Sequence, residues 1–166
     1  MALNLDSKKV VVEEVAEYAA KAHSAVAAEY RGLTVTELTQ LRKTARETGV
    51  YLRVVKNTLA KRAVAGTEFE CMQEGLVGPL LLAFSMEDPG AAARLISDFA
   101  KTHDKLVTKI VAVGGQAYDG SELKRLASMP TRDQAISMLM SVMKAPVGKL
   151  ARTLAAIRDQ KQEAAA

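Results

Sequence analysis

Residues 25–55, AVAAEYRGLTVTELTQLRKTARETGVYLRVV, contain two predicted strands and the helix that joins them. Residues 25–28 are a short apolar run, and residues 51–55 are rich in β-branched and aromatic side chains, so both segments predict strands. Between them, Thr34 and Glu37 have the spacing of a capping box, which predicts the start of a helix. The segment therefore predicts one β-α-β unit.

A second unit of the same kind follows. Residues 80–84 form an apolar run that predicts a buried strand. Asp88-Pro89 predicts a helix start, and residues 106–113 predict a further strand. Asn57 is the predicted cap of a short helix between the two units. This order predicts an α+β fold, a ferredoxin-like split βαβ sandwich with extra helices. A small doubly wound parallel sheet is the alternative.

Composition excludes several classes of protein. The 166 residues are 49% hydrophobic, which is enough for a core, and no apolar stretch reaches the roughly 20 residues of a membrane span. The N-terminal residues lack the pattern of a signal peptide. Cys71 is the single cysteine, so no disulfide framework or cysteine metal cluster is expected. These features indicate a cytoplasmic protein without membrane association.

The residues of an active site are missing. His23 and His103 lie on different predicted elements without ligand-spaced neighbours, and Gly114-Gly115 lacks the spacing of a phosphate-binding loop. We therefore expect no enzyme, no cofactor and no bound metal.

Positive charge is concentrated in one part of the chain. The net charge is +4, yet residues 30–65 contain eight basic and two acidic residues and carry +6, so the remainder carries −2. Arg31-Gly32 follows the first strand, and Lys56-Asn57 lies where the second strand ends and a helix begins. Helix N-termini attract phosphate, and lysine and arginine release counterions from nucleic acid. This pattern favours RNA binding, with a solvated, solubilising face as the alternative.

The C-terminal segment predicts a long amphipathic helix. Thr131 and Gln134 form a second capping box, and apolar residues then recur at steps of three and four within an arc of roughly 100°. They are Ile136, Met140, Met143, Val147, Leu150, Leu154 and Ile157, and Leu139 lies at the edge of the same arc. Such a stripe predicts a protein-binding helix, with a homodimeric coiled coil as the alternative.

The apolar stripe falls into two similar blocks. A shift of fourteen residues places Ile136 on Leu150 and Met143 on Ile157. Pro146 lies between the blocks and predicts a kink. Any amphipathic helix repeats every two heptads, so the repeat only suggests a duplication. The kink is either simply tolerated or separates two docking stations.

Several motifs together resemble the family of the bacterial large-subunit ribosomal protein ten, the base of the ribosomal stalk. They include YRGLTV at 30–35, LRK at 41–43, VVKNTL at 54–59, PGAAAR at 89–94 and GKLARTLAA at 148–156. The resemblance covers essentially the whole chain.

The resemblance implies two binding regions. Residues 1–129 would bind the GTPase-associated region of 23S rRNA beside ribosomal protein eleven. Residues 130–166 would bind dimers of the acidic stalk protein seven/twelve, which recruit translational GTPases, and the two blocks suit two dimers. By position, the implied RNA-binding residues are Arg31, Gly32, Lys43, Arg53, Lys56, Asn57 and Arg62.

Overall fold

The computed structural model describes residues 4–103 and 105–163. The chain divides into two compact units after Met129. Within the described residues of the first unit, five strands form one sheet in the order β2-β3-β1-β4-β5, and every neighbouring pair is antiparallel. The strands are β1 (Ser24–Glu29), β2 (Val50–Val54), β3 (Leu80–Ser85), β4 (Val107–Val113) and β5 (Gln116–Asp119).

Helices connect these strands and cover both faces of the sheet. In chain order they are α1 (Leu5–Lys21), α2 (Val35–Glu47), α3 (Asn57–Val64), α4 (Ala91–Thr102), α5 (Leu123–Ala127) and α6 (Arg132–Glu163), with short 3-10 helices at Glu70–Gly75 and Gly120–Glu122. The first five α-helices belong to the first unit and α6 to the second.

The predicted α+β fold is confirmed. The two predicted β-α-β units are β1-α2-β2 and β3-α4-β4, and their four strands have the order β2-β3-β1-β4 of a split βαβ sheet. The parallel alternative is wrong, because β1 pairs antiparallel with both β3 and β4.

The sequence interpretation missed β5. It ended the fourth strand at Gly114-Gly115, whereas these two residues form a tight turn with φ of 56° and 78°, and Val113 then pairs with Gln116. Two glycines with positive φ are typical of a two-residue hairpin turn. Because all four residues of β5 are exposed, no alternation of apolar and polar residues marks it as a strand.

Alternate residues of the central strand enter two separate cores. Ala25 and Ala27 face the core formed with α1 and α3, while Val26 and Ala28 face the core formed with α2 and α4. All four side chains are essentially inaccessible to solvent. The small side chains allow helices to approach both faces of the sheet, which is why the sequence has so much alanine and so few large aromatic residues.

Two buried serines fasten the start of α4 to the sheet. Ser24 and Ser85 lie opposite each other on β1 and β3 and are fully buried. The Ser85 hydroxyl accepts a hydrogen bond of 2.8 Å from the Ala92 N–H, and the Ser24 hydroxyl donates one of 2.6 Å to the Pro89 carbonyl. The first turn of α4 is therefore bonded by side chains from the sheet.

We predict that Ser85→Ala lowers the free energy of unfolding by about 1–3 kcal/mol, because it leaves the buried Ala92 N–H without its acceptor. Urea unfolding of the full chain measures this. Ser121→Ala, at an exposed position, is the control and should change stability by less than about 0.5 kcal/mol. Equal effects of the two substitutions would contradict the assigned role of Ser85.

Candidate nucleic-acid interface and protein-binding helix

Strand register brings four loops together at one end of the sheet. Glu29 at the end of β1 pairs with Leu80 at the start of β3 and with Val107 at the start of β4. Val54 at the end of β2 pairs with Leu81. We call this end the basic edge, and it comprises residues 30–34, 55–58, 78–79 and 105–106.

The turn after β1 exposes Arg31 at the basic edge. Gly32 adopts a φ of +91°, a conformation that favours glycine, and the Leu33 N–H donates to the Tyr30 carbonyl at 3.2 Å. The Tyr30 N–H also donates to the Pro79 carbonyl at 3.3 Å. The loop before β3 therefore holds the turn in place, and the Arg31 side chain is left at the surface.

The loop after β2 places Lys56 and Asn57 at the start of α3. Asn57 is not the cap that the sequence predicted: Lys56 is the N-cap and Asn57 is the first helical residue. The Asn57 side-chain amide instead donates to the Gly78 carbonyl at 2.9 Å, which ties α3 to the loop before β3. Lys56, Asn57, Tyr30 and Pro79 are among the residues that line an open groove of about 360 Å³.

Two helices, α2 and α3, begin at the basic edge. The N-cap side chain of α2 bonds to the first turn of its helix, whereas the N-cap side chain of α3 makes no such bond. At α2, Glu37 N–H donates to the Thr34 hydroxyl at 3.3 Å, and the Glu37 carboxylate accepts from the Thr34 N–H at 2.6 Å. This confirms the predicted capping box, and the Thr34 N–H lowers the pKa of Glu37. At α3, Lys56 makes no side-chain capping hydrogen bond, so the first N–H groups of the helix remain available to an anion.

Arg53 does not line the groove, and its guanidinium is bonded to other side chains of the protein. Its guanidinium forms an ion pair with Glu14 of α1 and donates to the Tyr51 hydroxyl at 3.1 Å. The Tyr51 hydroxyl in turn donates to Glu14 at 2.9 Å, and the Tyr51 ring stacks on Tyr18 at 3.7 Å. These bonds lower the pKa of Glu14, first through Arg53 and then through Tyr51. They also raise the pKa of Arg53, so the pair is ionised at neutral pH.

The structure thus gathers four of the seven predicted RNA-binding residues. Arg31, Gly32, Lys56 and Asn57 belong to loops of the basic edge. Lys43 is exposed on α2, Arg62 is exposed on α3 beside α1, and Arg53 is on β2.

Lys105 is a residue of the basic edge that the sequence interpretation missed. It precedes β4 and is exposed, and a Cβ atom placed on Gly32 would lie 3.3 Å from its Cδ atom. In the sequence it stands 74 positions from Arg31 in a segment of mixed charge, so only the pairing of β1 with β4 reveals their proximity.

The C-terminal unit presents its apolar stripe to solvent. The predicted capping box is present, since Gln134 N–H donates to the Thr131 hydroxyl at 3.3 Å and Thr131 N–H donates to the Gln134 side chain at 3.1 Å. Pro146 lies inside α6, where it has no N–H for the Val142 carbonyl; the kink stays a prediction. The predicted stalk-binding residues Ile136, Leu139, Met140, Met143, Val147, Leu150, Leu154 and Ile157 are 48–73% exposed.

The described residues contain no group of three or more His, Cys, Asp or Glu placed to hold a metal ion. None of their helices is long and apolar enough to cross a membrane.

Comparisons with known proteins match both units. The family model for ribosomal protein L10 matches residues 3–101, and that for the ribosomal protein uL10 C-terminal region matches residues 129–165. The chain is 70% identical to the large ribosomal subunit protein uL10 of Methylococcus capsulatus and 68% identical to that of Thioalkalivibrio sulfidiphilus. It is 62% identical to that of Alkalilimnicola ehrlichii. Each alignment covers 99% of this chain and 100% of the relative.

We predict that Glu14→Gln lowers stability at neutral pH but not in acid. Because the folded-state pKa of Glu14 is lowered, its ion pair stabilises the protein above the ordinary pKa of the carboxyl group and loses this effect as pH falls through the folded-state pKa. Urea unfolding at several pH values between 7 and 3 measures the difference from the wild type.

In this experiment, Glu13→Gln is the matched control, since Glu13 is the exposed neighbour of Glu14 on the same helix. A stability difference for Glu14→Gln that stays constant across this pH range would contradict the prediction.

Proposed function

Because the chain belongs to the ribosomal protein L10 family, which supplies a structural protein of the large ribosomal subunit, we propose that it is the scaffold at the base of the ribosomal stalk. The prediction that the chain is not an enzyme is confirmed by the same family membership. In the proposed function, the first unit binds the GTPase-associated region of 23S rRNA. The second unit anchors dimers of the acidic stalk protein seven/twelve.

The open N-terminus of α3, set beside exposed basic residues, is the observation that best supports RNA binding. N–H groups at a helix N-terminus carry partial positive charge and donate hydrogen bonds to phosphate oxygens. Lys56 stands at that N-terminus, and Arg31 projects from the neighbouring turn. Few aromatic side chains lie nearby, so recognition of phosphates and shape fits better than stacking of unpaired bases.

The other predicted RNA-binding residues have different parts in the proposal. Lys43 and Arg62 are exposed and would extend the contact beyond the basic edge. The charge of Arg53 is already compensated by Glu14, so its contribution to RNA affinity should be smaller than that of Lys56. We propose that Arg53 serves mainly to hold β2 against α1.

The exposed stripe of α6 supports protein binding. An exposed row of large apolar side chains is costly in water and is typical of a surface that another chain covers. At 1.5 Å per residue, the 32 residues of α6 span about 48 Å, which leaves room for two successive partners. A groove on each stalk-protein dimer would accept one apolar block of the helix.

Within the ribosome, the proposed scaffold joins rRNA to translation factors. Its neighbour at the rRNA site would be ribosomal protein eleven, and the attached dimers would recruit translational GTPases. We propose that the protein acts in the cytoplasm, as part of the large subunit.

We predict that Lys56→Gln weakens binding to a transcript of the GTPase-associated region and reduces the steepness of its salt dependence by about one in log–log slope. The reason is the loss of one phosphate contact and its counterion release. Filter binding or fluorescence titration from 50 to 300 mM salt measures both quantities.

Lys124→Gln is the matched control for Lys56→Gln, because Lys124 is an exposed lysine of α5, outside the basic edge, and forms no ion pair within 4 Å among the described residues. Equal losses for the two variants would mean that general charge, rather than the basic edge, governs the affinity.

We predict that each apolar block of α6 holds one stalk-protein dimer. In the full chain, Met140→Glu with Met143→Glu, or Leu154→Glu with Ile157→Glu, should reduce the bound dimers from two to one. Each pair of charges makes one apolar block polar. Native mass spectrometry of the mixture measures the stoichiometry.

Ser141→Glu and Ala155→Glu are the controls, since both lie outside the apolar arc and should leave two dimers bound. If the protein without partners is a concentration-independent dimer that the block variants dissociate, α6 pairs with itself and the proposal for stalk-protein binding is wrong.

A further inference from the structure

A carboxylate in the helix that follows the turn carrying Arg31 opposes RNA binding. Glu37 lies in the first turn of α2, and its interaction with the Thr34 N–H keeps its pKa low, so it is ionised at neutral pH. One negative charge at this position would offset the attraction of Arg31 for phosphate. A second cation is therefore needed if the turn is to bind phosphate.

Lys105 supplies a cation at this position. Glu29, the last residue of β1, pairs with Val107, the first residue of β4, so Lys105 lies just before β4 at the same end of the sheet as the turn that carries Arg31. Both Lys105 and His103 lie close enough to Glu37 to lower its pKa further. Among the described residues, Lys105 forms no ion pair within 4 Å, whereas Lys109 on β4 lies 3.5 Å from Glu29.

Gly32 determines where the Lys105 side chain lies. A Cβ atom at Gly32 would be 3.3 Å from Cδ and 3.9 Å from Cγ of Lys105, so the alkyl chain passes directly over the glycine. Because this alkyl chain packs on Gly32, the residue next to Arg31, the turn limits the positions that the Lys105 ammonium group can take. Fixing a flexible lysine in advance reduces the entropy lost on binding.

We propose that Lys105 binds an RNA phosphate together with Arg31, with Gly32 as its positioning residue. This proposal rests on the proposed RNA-binding function and adds a contact from the loop before β4, outside the basic segment 30–65. Phosphate is then held at two places on the basic edge, the turn after β1 and the N-terminus of α3.

The test uses the full chain and the transcript of the GTPase-associated region. Lys105→Gln should weaken binding roughly tenfold and reduce the salt-dependence slope by about one, because it removes a charge-assisted hydrogen bond to phosphate. Lys105→Arg should retain most of the affinity. Lys109→Gln, which removes one positive charge from β4, four residues after Lys105, should have a smaller effect, since Lys109 is paired with Glu29.

A double-mutant cycle with Glu37→Gln separates direct phosphate binding from neutralisation of Glu37. Glutamine at position 37 keeps the capping box and removes the charge. If Lys105 contacts phosphate, Lys105→Gln weakens binding by the same factor with either residue at position 37. If the loss disappears in the Glu37→Gln background, Lys105 only neutralises the carboxylate and the proposal is overturned.

The result for Lys56 distinguishes failure of this proposal from failure of the proposed function. Unchanged affinity and slope in Lys105→Gln, with a loss in Lys56→Gln, would overturn the role of Lys105 and leave RNA binding at the basic edge in place. No loss in either variant would overturn both.

Discussion

Pairing of β1 with β3 on one side and β4 on the other is the constraint on which the first unit depends. Glu29 lies opposite the first residues of both neighbouring strands, so this register positions the loops that carry Arg31, Pro79 and Lys105. The pairing of Val54 with Leu81 adds the loop that carries Lys56. A shift of one residue would exchange the side chains that face the two cores, and both cores are closely packed. The register that buries Ala27 and Val26 on opposite faces therefore also sets the spacing of Arg31 and Lys105.

The basic residues of the chain divide into those that hold the fold and those that face outward. Arg53 pairs with Glu14 and bonds to Tyr51, so most of its charge is balanced within the protein. Arg31 and Lys56 project from loops at the surface. A partly buried arginine with a carboxylate partner adds little to the external field, whereas an exposed lysine at a helix N-terminus adds to the dipole there. The net charge of a segment therefore overstates the number of residues available to RNA.

The second unit consists of one helix, and a single helix cannot bury its own apolar face. Ile136, Met143 and Leu154 are each about half exposed or more. The capping box at Thr131 and Gln134 stabilises only the start of the helix. Coverage of the stripe by another chain would provide the remaining stability. The proposed attachment of stalk dimers would therefore also stabilise the fold of the unit.

Features that depend on residues close together in the chain could be predicted from the sequence. Both capping boxes, four of the five strands, the α+β class and the long helix follow from short-range patterns of capping, alternation and helical period. The families to which the two units belong also followed from motifs in the chain. Of the candidate site, the sequence indicated the two loops that carry Arg31 and Lys56, because each follows a recognisable strand.

Which of these residues meet depends on packing between distant parts of the chain. In the folded protein, Lys56 takes the N-cap position in place of Asn57, Arg53 pairs with Glu14, and Lys105 lies over Gly32. β5 also forms, although its exposed residues have no burial pattern. Each of these outcomes depends on strand register or on helix packing between residues far apart in the chain. Those contacts arise from burying two cores at once, a property of the whole sheet that no local stretch of sequence contains.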